Sequence, residues 1–245
     1  MDSSTETESQ FTTQDWESYT DRQHGVWSTL YARRMKTLRA SASRIFLDGV
    51  DAIGLHPDSV PDLCDVNERL TNRTGWSAVP VTGFLPAREF FGCLAERRFP
   101  TTVTLRSADQ LDYVPEPDIF HDVFGHVPLH ADPVFAAFLW RFGVLAARAT
   151  DEVAIERLAR LFWFTVEFGL IREGGEVKIY GSGLISSHAD AAHALGIGCE
   201  RRPFTLEGVV GQPFAIDRLQ DVLYVIDSFG ELFEAVRLLD RGEGP

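Results

Sequence analysis

Cysteine is scarce in this sequence, with three among 245 residues. Cys64, Cys93 and Cys199 are odd in number, lie far apart and include no Cys-x-x-Cys pair. This pattern excludes a disulfide framework and a cysteine-ligated zinc cluster as simple explanations of the fold. We therefore expect three reduced core thiols.

Positive charge is also in short supply. The chain has 23 Lys and Arg against 36 Asp and Glu, which gives a net charge of −13. Proteins that hold nucleic-acid backbones or anionic membrane surfaces use clusters of Lys and Arg for this purpose. The charge balance therefore argues against nucleic-acid and membrane partners, and a small-molecule substrate fits it better.

Long apolar runs are absent as well. No stretch approaches the roughly 20 residues that cross a bilayer. The N-terminal segment is polar and acidic where a secretory signal needs positive charge followed by an apolar run, so we expect a cytosolic protein. A chain of this length with 44% hydrophobic residues can bury one large core. We expect a disordered tail at 1–12, one catalytic domain at 13–241 and a short tail at 242–245.

The stretch at 115–128, PEPDIFHDVFGHVP, contains two histidines, His121 and His126. On an ideal α-helix, residues five apart point about 140° away from each other, because each residue advances by roughly 100°. Gly125 weakens a helix and Pro128 disfavours helical geometry at the residue before it, so we expect a bend that lets the two imidazoles converge on a metal. By spacing alone, two ordinary histidines on a packed helix are an equally good interpretation.

A metal site needs a third ligand. The local candidates Glu116, Asp118 and Asp122 are also typical of an acidic first helical turn. Glu167 is more unusual, because it is the only ionisable side chain in the apolar run at 161–171. A buried carboxylate needs a cation, a hydrogen-bonding partner or a raised pKa. A bound metal would meet that need, and a buried salt bridge is the alternative.

Two histidines and one carboxylate, with other coordination positions open, form the ligand set of non-haem ferrous oxygenases. His121, His126 and Glu167 therefore predict oxygen activation at iron. A zinc hydrolase with the same triad and a helical binding module with a structural metal are the alternatives. A hydrolase would work without dioxygen, and a binding module would turn nothing over.

Four segments resemble the pterin-dependent aromatic amino acid hydroxylases, most closely the single-domain bacterial members that act on phenylalanine. They are PEPD at 115–118, HDVFGHVP at 121–128, WFTVEFGL at 163–170 and YGSGLISS at 180–187. The resemblance runs in order from about Trp16 to Phe233. It implies a mainly α-helical single-domain fold with a few short strands around a central iron pocket.

The resemblance also implies the cofactors: Fe(II) on the predicted triad, tetrahydrobiopterin or a related tetrahydropterin as electron donor, and dioxygen as co-substrate. It places the pterin ring against Phe90, with backbone contacts near Gly83, Leu85 and Ala87. Asp122 would lie on the pterin side or next to the ligands, where many relatives have glutamate. On sequence alone, Phe90 is equally well explained as a core residue.

The substrate implied by the resemblance is a free aromatic amino acid, with L-phenylalanine converted to L-tyrosine. Arg106 would hold its carboxylate, although on sequence alone this residue is better explained as a solvated surface arginine. Trp163 would pack near the substrate ring, and Gly183 and Ser186 would lie near its amino and carboxylate groups. Val114 replaces a threonine found beside the substrate in several relatives. Hydroxylation of tryptophan or tyrosine, or at another ring position, stays open.

Two further histidines, His188 and His193, repeat the five-residue spacing of the predicted ligands. They follow a capping-box pattern at Ser187, so we interpret them as structural or surface residues. By resemblance, Tyr224 lies near the active site. We expect a monomer, because the chain has no room for the regulatory domain and tetramerisation helix of animal relatives.

The remaining patterns predict secondary structure. Helices are predicted from Thr13 or Asp15 onward, from Ser59 to about Gly75, over Asp132–Arg148 and Glu152–Ile171, and from Ser228 to about Leu239. Strands are predicted at Thr101–Leu105, Glu176–Tyr180 and Val222–Ile226. The segment Val79–Phe91 is predicted as a loop that enters a helix.

Overall fold

The computed structural model describes residues 10–112, 114, 116–216 and 218–242. Within them the chain is mainly helical with six short strands, which confirms the predicted fold class. The helices are α1 (Asp21–Ser41), α2 (Arg44–Ala52), α3 (Leu63–Thr74), α4 (Ala87–Ala95), α5 (Pro133–Arg148), α6 (Glu152–Phe162), α7 (Ser182–Ser186), α8 (His188–Leu195), α9 (Leu206–Gly211) and α10 (Phe229–Asp240), together with two π-helices, π1 (Phe120–His126) and π2 (Trp163–Glu167), and two 3-10 segments, Trp16–Ser18 and Val127–Ala131.

The strands form two sheets. In the first, two strands pair in parallel: β1 (Ser77–Val81) and β2 (Arg98–Thr102). In the second, four strands lie in the order β4-β3-β6-β5: β3 (Leu170–Glu173), β4 (Glu176–Ile179), β5 (Glu200–Pro203) and β6 (Val222–Ile226). Gly174 and Gly175 link β3 to β4 with φ of 60° and 85°, the left-handed conformation that a two-residue hairpin turn requires.

The core beneath the predicted site is aromatic. Trp27 and Tyr31 of α1 and Phe46 of α2 meet Phe120 and Phe124 of π1 in edge contacts, with ring centroids 5.4–6.4 Å apart. Phe120 and Phe124 are themselves stacked at 4.6 Å. Such aromatic pairs add stability beyond that of the area that they bury. They therefore fix the position of the π-helix that carries the two histidines.

Several predicted boundaries are wrong. The helix predicted from Glu152 to Ile171 stops at Glu167, and Ile171 belongs to β3, which pairs with β4 and β6. The strand predicted at Thr101–Leu105 lies three residues earlier, because the parallel register with β1 sets its limits at Arg98 and Thr102. The segment predicted as a loop from Val79 begins inside β1.

The predicted start of the Ser59 helix is also wrong, because the side chain of Asp62 caps α3 by accepting from Cys64 N. Gly75 ends α3 in the left-handed conformation, close to the predicted boundary. Ser228 caps α10 as predicted, and β6 has the predicted limits.

The predicted tails lie mostly outside the described residues. Residues 1–9 and 243–245 fall outside them. Residues 10–12 run beside β1, where Thr12 N donates to Pro80 O and Thr82 N donates to Gln10 O. All three cysteines are free thiols: Cys93 and Cys199 are buried, and Cys64 is exposed, contrary to the expectation of a core position for each. Among the described residues, no helix combines the length and apolar character needed to cross a bilayer.

The close packing of α2 against the 3-10 segment after π1 generates a test. A Cβ built at Gly49 would lie 2.1 Å from Pro128 O, a backbone atom that cannot swing aside. We expect Gly49→Ala to lower the free energy of unfolding by about 1–3 kcal/mol, as overpacking does. Chemical denaturation measures this loss.

Gly25→Ala is the matched control. A Cβ at Gly25 meets nothing within 4 Å in the middle of α1, so this change should stabilise the protein by about 1 kcal/mol through helix propensity. Equal effects of the two substitutions would contradict the packing described here.

Candidate metal centre and active-site cavity

The structure brings His121, His126 and Glu167 together. The two Nε2 atoms lie 3.2 Å apart. His126 Nε2 is 3.3 Å from one carboxylate oxygen of Glu167, and His121 Nε2 is 3.8 Å from the other. Two ligand atoms that bind a metal at right angles, each at about 2.1 Å, lie roughly 3 Å apart. The three side chains therefore fit one face of a metal's coordination sphere.

The two histidines converge because the helix between them is a π-helix. The α-helical spacing argument predicted a bend at Gly125 and Pro128, but π1 continues through Gly125 and includes His126. Its hydrogen bonds join residues five apart, so His121 and His126 lie one turn apart on the same side. The two imidazoles converge as expected, but the π-helix causes this convergence and a bend does not.

Glu167 is delivered in a similar way. It ends π2, where Phe168 N donates to Trp163 O at 2.9 Å, a hydrogen bond between residues five apart. A Cβ at Gly181 would lie 2.4 Å from Glu167 O, and one at Gly183 would lie 3.1 Å from it. The Gly-Ser-Gly segment thus lets two stretches of backbone approach closely beside the third ligand.

Serines orient two of the ligands. Ser182 Oγ donates to a Glu167 carboxylate oxygen at 2.8 Å. Ser186 Oγ donates to Ser182 O at 2.8 Å and contacts His121 Nδ1 at 2.8 Å. Because the single hydroxyl hydrogen of Ser186 is used on Ser182, Ser186 accepts from Nδ1–H of His121. That tautomer leaves the Nε2 lone pair of His121 for the metal.

The protonation states also suit a metal. Burial raises the pKa of Glu167, but the two imidazoles and the Ser182 hydroxyl outweigh it and lower the pKa to about 2. Burial also lowers the pKa of His121, more strongly than the Glu167 charge raises it. Metal binding requires an ionised carboxylate and neutral imidazoles, and these shifts favour the ionised form of Glu167 and the neutral form of His121.

A cavity of about 360 Å³ opens directly onto the triad. Most of the positions predicted for the pterin and the substrate ring line it: Gly83, Leu85, Ala87, Phe90, Asp122 and Trp163. Phe90 is half-buried and meets Phe91, Phe99 and Phe162 edge-on, with centroids 5.6–6.0 Å apart. The cavity thus has an aromatic wall facing the ligands.

Four predicted substrate residues do not line this cavity: Arg106, Val114, Gly183 and Ser186. Gly183 and Ser186 lie behind the ligands. Val114 is half-buried, and both of its neighbours fall outside the described residues. His188 and His193 lie away from the triad, as predicted: His188 contacts Arg34 at 3.5 Å, and His193 Nε2 meets Gln220 O at 2.9 Å.

Arg106 forms a buried ion pair. Its Nε and Nη2 atoms donate to the two carboxylate oxygens of Asp118, each at 2.8 Å, and both side chains are 6% exposed. Asp118 also accepts from the backbone N–H of Arg106 and of His121. The local acidic residue considered as a metal ligand instead connects Arg106 to the start of π1.

Asp122 lies beside the ligands with its carboxylate fixed. One oxygen accepts from both the backbone N–H and the hydroxyl of Thr102, each at 2.7 Å. Burial raises the pKa of Asp122 more strongly than these two hydrogen bonds and the nearby imidazoles lower it. The residue therefore connects β2 to the wall of the cavity.

Sequence reasoning missed three contributors to the site. In the sequence, Ser182 stands out only as a member of the segment YGSGLISS at 180–187. Phe99 packs on the His126 ring at 4.7 Å, and Phe214 stacks on Trp163 at 4.7 Å, from strand and loop positions that carry no local signal. The one sequence signal for Ser182 is a hydroxyl residue between two glycines in a chain that also has a lone acid in an apolar run. A buried acid needs such a hydrogen-bond donor.

The Arg106–Asp118 pair generates a stability prediction. Asp118→Asn leaves a buried guanidinium without its counter-charge, so we expect the free energy of unfolding to fall by about 3–5 kcal/mol. Asp112→Asn is the matched control, because it breaks the exposed Arg33–Asp112 pair, which should matter little. A similar loss in both variants, measured by chemical denaturation, would refute the assignment.

The same pair predicts a pH dependence. Burial raises the pKa of Asp118, but the Arg106 hydrogen bonds and charge outweigh it, so the pKa in the folded state lies below its ordinary value. A lowered carboxylate pKa stabilises the fold above the unfolded-state pKa of about 3.9 and loses that contribution as the pH falls further. The difference in stability between the wild type and Asp118→Asn should therefore be full at pH 6 and shrink below about pH 4. A pH-independent difference would contradict this.

The Ser186 contact generates a prediction for metal affinity. Ser186→Ala removes the acceptor that orients His121, and loss of such a partner weakens metal binding by about 10–100-fold. Titration of Fe(II) or Co(II) into metal-free protein measures this. Ser187→Ala is the matched control: Ser187 caps α8 through Asp190 N, so its loss should lower stability but leave metal affinity unchanged. Equal metal affinity in both variants would exclude the proposed role of Ser186.

Comparisons with known proteins agree with this geometry. The chain is 45% identical over 230 residues to phenylalanine-4-hydroxylase of Caulobacter vibrioides, covering 94% of this chain and 78% of that protein. The crystal structure of Chromobacterium violaceum phenylalanine hydroxylase with bound Fe(III) superposes with a TM-score of 0.90 at 42% identity, covering 93% and 83% of the two chains. A structure of the same enzyme with iron(III) and 7,8-dihydrobiopterin gives a TM-score of 0.89 at 41% identity, covering 96% and 88%.

A family profile gives the same result. The profile of the biopterin-dependent aromatic amino acid hydroxylases matches residues 14–240. This range contains the triad, the cavity and both sheets. The chain belongs to the biopterin-dependent aromatic amino acid hydroxylase family.

Proposed function

We propose that this protein is an iron- and tetrahydropterin-dependent monooxygenase that converts L-phenylalanine to L-tyrosine. The observation that carries the proposal is the triad of His121, His126 and Glu167, with His126 buried and the other two half-buried, at an aromatic cavity. The similarity to phenylalanine-4-hydroxylases over most of both chains supports phenylalanine as the substrate.

The triad would hold ferrous iron. When bound, iron with a tetrahydropterin supplies the oxygen-activating chemistry of this family. The chain's own contribution is to keep Glu167 ionised, to fix the His121 tautomer through Ser186, and to leave the cavity side of the metal free of protein ligands. The aromatic wall excludes water from the reacting groups, which limits side reactions.

We propose that Trp163 packs near the substrate ring, with Phe214 beside it in the cavity wall. Trp163 stacks on Phe214 at 4.7 Å and also packs on Phe168 at 4.7 Å, which fixes the indole plane. Trp163 Nε1 is buried without a hydrogen-bond partner among the described residues.

Arg106 would hold the substrate carboxylate. Its bonds to Asp118 use Nε and Nη2, so the Nη1 hydrogens remain for a second carboxylate. The ion pair itself would keep the guanidinium in place before the substrate arrives. Val114, Gly183 and Ser186 would complete the substrate end of the site.

The pterin would lie against Phe90, with Gly83, Leu85 and Ala87 along its edge and Asp122 on the side of the metal. All five residues line one cavity. We further propose residues 13–241 as the catalytic unit and a monomeric, cytosolic enzyme. Sedimentation analysis tests the oligomeric state.

Product analysis tests the reaction. Aerobic incubation with ferrous iron, tetrahydrobiopterin and, in turn, L-phenylalanine, L-tyrosine and L-tryptophan should give L-tyrosine from L-phenylalanine as the fastest conversion, with matching oxygen uptake. Faster hydroxylation of another amino acid would refute the substrate. Activity without dioxygen would refute the reaction class.

Glu167→Gln tests the metal assignment. Loss of a residue that only orients a metal ligand lowers metal affinity or activity by up to about 100-fold. Loss of the ligand carboxylate itself should therefore lower iron affinity or turnover by at least about 100-fold. Glu207→Gln is the matched control on the exposed first turn of α9 and should behave as wild type. Wild-type iron content and turnover in Glu167→Gln would contradict the assignment.

A further inference from the structure

A second cavity, of about 280 Å³, lies between α1 and the junction of α7 with α8. It shares no lining residue with the active-site cavity, although Ser186, which contacts His121, lies in its wall. Its lining is basic, although the chain carries a net charge of −13. Arg33, Arg34 and Lys36 line it against one acidic residue, Asp112, and His188 completes the polar side.

Arg34 is the unusual member of this group. Its side chain lies at the wall of the cavity, yet the residue is only 4% exposed. No carboxylate lies within 4.0 Å of its guanidinium among the residues that the structure describes, and burial lowers its pKa to about 10. A buried charge without a counter-charge is costly unless something compensates it.

Two backbone carbonyls compensate part of this charge. Arg34 Nε donates to Ile185 O at 2.7 Å, and Nη2 donates to Leu184 O at 2.9 Å. Both carbonyls belong to the end of α7, where helix carbonyls carry partial negative charge. These bonds fix the guanidinium in place, but they supply only a fraction of a full counter-charge.

The third nitrogen of Arg34 faces the cavity. Nη1 has only long contacts there, to Thr37 Oγ1 at 3.4 Å and to His188 Nδ1 at 3.5 Å. A guanidinium can only donate, so it meets the lone pair of His188 Nδ1.

We propose that this cavity binds a small oxyanion, either phosphate or the carboxylate of a small organic acid. Arg34 would supply the fixed, desolvated charge and Lys36 a mobile charge at the rim, and His188 lines the polar side. Arg33 is already paired with Asp112 at 2.7 Å and contributes less. Leu30 and Leu111 give the cavity an apolar side that suits a short hydrocarbon body.

Calorimetric titration of metal-free protein with inorganic phosphate and, separately, with propionate at constant ionic strength tests the proposal. Metal-free protein is used so that no metal-bound anion contributes. At least one probe should bind saturably with one site per chain. Tighter binding of phosphate or of propionate identifies which oxyanion the cavity prefers.

Three variants locate the binding. Arg34→Lys removes the fork geometry of the guanidinium and should raise the dissociation constant of the bound anion by about tenfold. Lys36→Met at the exposed rim should raise it by about threefold. Arg39→Met is the charge-matched control, because Arg39 is exposed on the same helix and does not line the cavity; it should bind as wild type. Lys36→Met and Arg39→Met change exposed side chains, so a folding defect of Arg34→Lys does not remove the test.

Two results would overturn the proposal. One is the absence of saturable binding of either probe to the wild type. The other is equal affinity in Lys36→Met and Arg39→Met, which would show that the anion binds elsewhere. Both outcomes are independent of iron, pterin and hydroxylation, so they do not depend on the proposed enzyme activity.

Discussion

The burial of the Glu167 carboxylate between two imidazoles is the constraint on which the site depends. An ionised carboxylate in an apolar helix is unstable unless opposite charge or hydrogen bonds surround it. Here the surroundings are His121, His126 and the Ser182 hydroxyl, and they lower the pKa of Glu167 to about 2 despite burial. The Nε2 atoms of His121 and His126 and the carboxylate oxygens of Glu167 are directed at one point, so the arrangement that stabilises the acid also prepares a metal site. The Gly-Ser-Gly segment at 181–183 is needed because only glycine lets its backbone reach Glu167.

Both ligand-bearing segments are π-helical, which is uncommon and often marks functional sites. In π1 the wider turn aligns His121 with His126, five residues apart. In π2 it ends the helix at Glu167, after which the chain turns at Gly169 into β3. Aromatic packing stabilises both segments: Trp27 of α1 and Phe46 of α2 pack on Phe120 and Phe124 of π1, and Phe214 stacks on Trp163 of π2. A metal-binding sequence in this fold therefore also needs aromatic residues that support two irregular helices.

The sequence predicted the ligands and the helical class better than it predicted the path of the chain. A lone acid in an apolar run and two histidines in a Pro-bounded segment are local signals, and both are visible without a structure. The limits of β2, by contrast, follow from its parallel pairing with β1, whose paired residues lie 21 positions earlier in the chain, and β3 forms only because β4 and β6 lie on either side of it. The bend inferred at Gly125 assumed α-helical geometry, for which residues five apart diverge. Helix type depends on tertiary packing, so spacing alone could not reveal it.

The acidic residues around His121 explain why the third ligand comes from a distant helix. Asp118 has both carboxylate oxygens engaged, by the Arg106 side chain and by two backbone N–H groups. Asp122 is held by Thr102 through two hydrogen bonds at 2.7 Å. Asp118 therefore has no unengaged carboxylate oxygen, and the Asp122 carboxylate is fixed through one of its oxygens, although both residues are close to His121 in sequence. Glu167 supplies the only carboxylate among the candidate metal ligands grouped in the described residues, and the side of the metal toward the cavity stays free of protein ligands. Open coordination positions therefore arise from hydrogen bonds that hold neighbouring acids away, as much as from the ligands themselves.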